Sequence, residues 1–172
     1  MRVKSFSNVL YKRKKLNCII KIKKMLLYID EYQLVQYDKE QSLFTMSWKK
    51  PSSRLNYKNV GYRFKSAANM LNVYNPKLVL IDFEQMVYKR ILGNEDQFYN
   101  NIHSIMKDNG VEKFAYIKSN DKITQVLFDQ LISNSELSKV ELKSFNTAKE
   151  AKEWLLADTK IKEMQSKYAI SA

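Results

Sequence analysis

The chain has 172 residues, 45% of them hydrophobic and 12% aromatic, with a formal net charge of +12. That is one domain with enough apolar side chain for a core, which excludes disorder over the whole length; three glycines and two prolines exclude collagen-like and Pro-rich classes. Cys18 and His103 are the sole residues of their types, which excludes a disulfide framework, a Cys-based structural zinc site and a histidine cluster, and points to a reducing compartment, taken as the cytoplasm.

The charge is uneven. Residues 1–24 carry nine cations and no acid, whereas 25–172 set the other twenty-one basic residues against all eighteen acidic ones. Twelve to fifteen is a run of four, Lys12, Arg13, Lys14 and Lys15. A basic arm on a near-neutral body is not a basic fold. Its apolar stretches, Leu16–Ile20 and Met25–Ile29, are interrupted by Lys21, Lys23 and Lys24, so they do not form the h-region of a secretory signal. The expected organisation is a disordered basic extension over 1–24, with Met25 a plausible alternative start, a domain over 25–157 and a polar tail over 158–172. Two functional readings stand beside plain disorder for the arm. It is an amphipathic surface helix on anionic lipid, with Val9, Leu10, Leu16, Ile19 and Ile20 among its lysines, or it makes nonspecific phosphate contacts with nucleic acid.

From residue 26 the pattern becomes regular. Leu34–Tyr37 and Leu43–Trp48 read as a β-hairpin around Asp38–Gln41, with Phe44, Met46 and Trp48 on one face and Leu26–Ile29 extending the first strand. Pro51, Ser52 and Ser53 end the hairpin and open a helix over about 54–74, striped by Val60, Phe64, Ala67, Ala68 and Leu71 and closed by Asn75-Pro76. Lys77–Phe83 contains four consecutive apolar residues, the mark of a central strand covered on both faces, and reaches Asp82. Asn94 and Gln97 open a second helix striped by Phe98, Ile102, Ile105 and Met106 and stopped at Gly110. A strand with Phe114, Tyr116 and Ile117 follows, then a helix capped by Ser119 or Asn120 and striped by Ile123, Val126, Leu127 and Leu131. Val140, Leu142 and Phe145 give a last strand, and Thr147 with Glu150 opens a helix turning Ala148, Ala151, Trp154 and Leu155 inward. The predicted class is α/β: a five-stranded mixed sheet, beginning with a hairpin and continuing in alternating β-α units, flanked by about four helices.

The segments YQLVQYD, SLFTMSWKK, KLVLIDF, EKFAYI and SFNTAKEAKEWL, in this order and spacing over about 26–157, resemble the small bacterial STAS/SEC14-like (SpoIIAA-like) proteins. The resemblance implies the same mixed sheet, no defined catalytic activity, and a binding or regulatory role. The phospho-switched members carry an Asp-Ser-Ser-Gly-like turn after the central strand. Here the chain reads Asp82-Phe83-Glu84-Gln85-Met86-Val87-Tyr88, with neither the serine that is phosphorylated nor the glycine, so a kinase-controlled switch of that kind is not expected.

Residue types for catalysis are sparse. The three glycines are isolated and form no phosphate loop, Cys18 lies in the arm, and His103 falls off the apolar stripe of its helix. Asp82 and Glu84 are candidates for acid–base work but lack an evident electrophile-stabilising partner, and a turn cap or lysine pair is the simpler role for Asp82. No cofactor is implied. Open α/β sheets bind ligands beyond the carboxyl ends of their strands, and that rim holds the long Asp82–Gly93 connection. The expectation is a non-enzymatic module. It recognises a small apolar or lipid-like ligand, or a protein partner, through Asp82, Tyr88, Lys89 and Arg90, with a homodimer among the partners considered. Against this stands an extra helical turn that packs Met86, Tyr88, Ile91 and Leu92 on the sheet. The alternative is attachment to nucleic acid or an anionic membrane through the arm.

Overall fold

The computed structural model of the chain describes residues 24–88, 110–133 and 140–158. Six strands, β1 (Lys24–Ile29), β2 (Gln33–Asp38), β3 (Leu43–Trp48), β4 (Leu78–Asp82), β5 (Lys113–Ile117) and β6 (Glu141–Phe145), form one mixed sheet in sequential order. β1, β2 and β3 run antiparallel, and β3 to β6 run parallel. The α/β class is as expected, but the strand count is six rather than five. Leu26–Ile29 does not prolong the first strand; it doubles back as a separate edge strand. The reason is Asp30, whose Oδ1 accepts from the backbone N–H groups of Tyr32 and Gln33, each at 2.8 Å. This is the turn a short acidic side chain makes by bonding its own following backbone.

Each parallel strand is added on the same side of its predecessor, and right-handed crossovers bring the helix between β3 and β4 and the helix between β5 and β6 to one face of the sheet. Helices α1 (Tyr57–Tyr74) and α2 (Lys122–Ser133) share that face. There Phe64, Leu71 and Phe128 pack with Val35, Phe44, Met46, Val79, Ile81 and Phe114. Helix α3 (Ala148–Leu155) lies on the other face, setting Ala151 and Leu155 against Leu43, Leu78, Leu80, Ala115 and Ile117. β4 is therefore buried on both sides, as its unbroken apolar run predicts, and Phe44, Met46 and Trp48 share one core as their alternation predicts.

Three local expectations change. Pro51–Arg54 belongs to a 3₁₀ turn (Lys50–Arg54), and α1 starts only after Asn56, whose side chain accepts from the Asn59 N–H at 2.9 Å. α2 is capped by Asp121, which accepts from the Thr124 N–H at 2.8 Å, rather than by Ser119 or Asn120. Its inward face is Thr124 and Phe128 with Leu127 at the flank, while Ile123 and Val126 are exposed. Ile123, Val126 and Leu127 fit a helical period, but Thr124 and Phe128 fit it equally, and the large aromatic takes the core position. In α3 the Thr147–Glu150 cap is present, with the Glu150 N–H on Thr147 Oγ1 at 3.3 Å, but Ala148 is exposed and Trp154 only half-buried. The helix expected around 94–109 lies outside the described residues. Among the described residues, no helix is long and apolar enough to cross a membrane.

Candidate functional site

The parallel strands β3 to β6 and the β1–β2 turn meet at one end of the sheet, because Gln33 at the start of β2 pairs with Trp48 at the end of β3. Lys49 fixes the turn to this rim: its backbone N–H donates to Tyr32 O at 2.8 Å and its Nζ to Asp30 O at 2.6 Å. α1 also begins here. Between the turn and the first half of α1 lies an open cleft of about 380 Å³, at the small end of the roughly 300–1,000 Å³ typical of ligand sites. Tyr28 and Tyr32 form the hairpin wall; Asn59, Tyr62 and Arg63 form the helix wall. Gln33 and Leu55, both buried, also line it.

Arg63 joins the walls. Its Nη2 lies 2.6 Å from Asp30 Oδ2, and its guanidinium carbon sits 4.9 Å from the centroid of the Tyr32 ring, within cation–π range. Asp30 also accepts from the Tyr28 hydroxyl at 2.9 Å, so its oxygens receive Arg63, Tyr28 and two backbone donors. Partial burial pushes the Asp30 carboxyl up, but these donors outweigh it and hold the pKa down at about 2. A carboxylate so occupied is a structural anion, poorly placed to take a proton from a substrate.

Of the residues expected to bind ligand, Asp82 and Tyr88 stand on the same rim, beyond the 3₁₀ turn. Asp82 Oδ1 accepts from the Glu84 N–H at 3.0 Å, a turn role. Tyr88 is buried, with its N–H on Thr124 Oγ1 at 2.8 Å. Phe83 and Met86 are buried in the same core, and Met86 O accepts from the Ser119 hydroxyl at 2.7 Å. The start of the loop is thus packed on the sheet. It is also tied to the cleft's neighbour: Gln85 Oε1 accepts from the Lys50 N–H at 3.2 Å, and Ser52 Oγ from the Val87 N–H at 3.4 Å. Lys89, Arg90 and the arm residues Lys12, Arg13, Lys14 and Lys15 lie outside the described residues, as do Cys18 and His103. Among the described residues, no three His, Cys, Asp or Glu side chains gather as a metal site.

The cleft residues were not singled out by sequence reasoning, although one signal was present. Asn59, Arg63 and Ser66 recur at i, i+4 and i+7, one position before Val60, Phe64 and Ala67, so a polar stripe runs beside the buried one. The hairpin half of the cleft depends on the fold, since only the extra strand and its turn bring Tyr28 and Tyr32 opposite that stripe. The chain matches no known family model, no curated protein and no solved structure.

Proposed function

We propose that the protein is a non-enzymatic binding module, of the STAS/SEC14-like kind its sequence resembles. Its ligand seat is the cleft at the carboxyl rim of the sheet, with the Asp82–Tyr88 segment as its flank. The observation that carries this reading is the cleft itself, whose two walls are joined by Arg63: its Nη2 lies 2.6 Å from Asp30 Oδ2 and its guanidinium carbon 4.9 Å from the Tyr32 ring centroid. The aromatic and polar walls favour a small molecule over a lipid chain. The commitment of Asp30, Asp82 and Asp121 to local hydrogen bonds supports a holding role over a chemical one.

Native mass spectrometry of the full chain after incubation with a small-metabolite extract tests the reading. The expected result is an added mass that Tyr32→Ala and Arg63→Ala weaken. Adducts held equally by wild type and both variants would remove the cleft from consideration.

A second reading rests on the nine positive charges of residues 1–24. Through them the protein attaches to a polyanionic surface, nucleic acid or anionic lipid, independently of the cleft.

A further inference from the structure

We infer that β1 is the seat of a second copy of this chain, paired edge to edge and antiparallel across a two-fold axis. The pairing does not depend on the cleft holding a ligand. The sequential strand order leaves β1 and β6 as the two edges of the sheet. An edge strand turns alternate N–H and C=O groups away from its neighbour, a template for another strand unless charges or bulges blunt it. β6 is guarded: Glu141 and Lys143 alternate along it, both exposed. β1 is not. After Lys24 it carries Met25, Leu26, Leu27, Tyr28 and Ile29 without a charge. Of the eight large hydrophobic side chains exposed among the described residues, this one strand holds four: Met25, Leu26, Tyr28 and Ile29. At the register shift between Leu26 and Tyr28, Leu27 packs against the core, but Leu26 and Ile29 stay 56% and 55% exposed.

Charge selects the occupant and its direction. β1 begins at Lys24 and is followed by Asp30 and Glu31, so the segment is basic at its start, apolar in the middle and acidic beyond its end. Asp30 is taken up by Arg63 at 2.6 Å. Lys24 and Glu31 are both exposed. Glu31 accepts from the Tyr32 hydroxyl, and a carboxylate has further lone pairs for a lysine. Two antiparallel copies set Lys24 of each protomer toward Glu31 of its partner, twice by symmetry, with apolar side chains matched between them. Parallel copies would bring like charges together. A short uncharged peptide would match the middle and leave both ends without a counter-charge. One strand pair is a small contact beside the roughly 1,200–2,000 Å² of stable interfaces, so the dimer is expected to dissociate on dilution.

Sedimentation velocity of the full chain over a concentration series tests the inference, with circular dichroism of each variant as the check on folding. Wild type is expected to pass from monomer to dimer as concentration rises. Leu26→Lys, which gives β1 the kind of charge that β6 carries, is expected to stay monomeric with an unchanged spectrum; Ile29→Lys serves if it does not fold. Lys24→Glu and Glu31→Lys are each expected to weaken the dimer about tenfold, and the two together to recover most of that loss. A wild-type chain that is monomeric throughout overturns the inference, whether β1 is bare or covered by its own chain. So does a dimer that survives both lysine variants, which would assign another surface. A double variant that dimerises no more tightly than the single ones overturns the antiparallel pairing.

Discussion

Arg63 on the first helix and Asp30 in the β1–β2 turn are joined at 2.6 Å with their side chains only 17% and 23% exposed. Lys77 and Glu112 make a pair of nearly equal length, 2.7 Å, at 63% and 59% exposure. Distance does not separate these pairs; solvent does. Asp30→Ala strips the turn of its acceptor and leaves a half-buried guanidinium unpaired, so it is expected to cost about 2 kcal/mol. Lys77→Ala is expected to cost under about 1 kcal/mol. Urea denaturation of both variants checks the contrast.

The same pair sets an acid limb. The Asp30 carboxyl falls from 3.8 to about 2 on folding. A lowered carboxyl pKa contributes stability above the unfolded value and loses it as pH falls through the folded one. Stability attributable to Asp30 is therefore expected to be complete above about pH 4 and to drain away towards pH 2. At the alkaline end Tyr116, buried and donating to Asp129 at 3.1 Å, is raised to about 12. Its contribution is complete below about pH 10 and lost as pH rises towards 12. Denaturation midpoints across pH should show a shallower acid slope in Asp30→Asn and a shallower alkaline slope in Tyr116→Phe.

Helix α2 separates two readings of one apolar pattern. Phe128 is 1% exposed and stacks on Phe83 at 3.8 Å between centroids, whereas Ile123 is 66% exposed. Phe128→Ala is expected to cost about 3–5 kcal/mol, and Ile123→Ala to stay within about 0.5 kcal/mol. Comparable losses in the two variants would reverse the face assigned to the helix.

Much of the scaffold was legible because periodicity reports burial directly. The run Leu78–Ile81 marked the central strand, and Phe44, Met46 and Trp48 marked the core face of β3. The separate edge strand was not legible, because Asp30 makes its turn by side-chain hydrogen bonds without glycine or proline. Trp48 was legible in its face but not in its full burial. It closes a strand at the rim and is yet buried, because Phe64 covers it from α1. The cleft inherits the first problem: half of it comes from a turn that Asp30 marks without glycine or proline, and Gln33 in its lining is a buried polar side chain.

Attachment through the arm predicts a salt response. Replacing Lys12, Arg13, Lys14 and Lys15 by glutamine in the full chain is expected to weaken binding to random-sequence duplex DNA or to anionic vesicles. With DNA, the slope of log affinity against log salt should fall by up to about 0.9 for each phosphate that the arm no longer neutralises. Fluorescence anisotropy across a salt series, run beside vesicle sedimentation, tells the two surfaces apart. An unchanged slope and unchanged vesicle binding would remove the arm from any such role.

Backbone amide shifts of the full-length protein during titration with a small-metabolite extract test the cleft most directly. The account predicts saturable changes gathered on Tyr32, Gln33, Asn59 and Arg63. Saturable changes confined to Glu84–Tyr88 or to the α3 face, with those four residues silent, would contradict it.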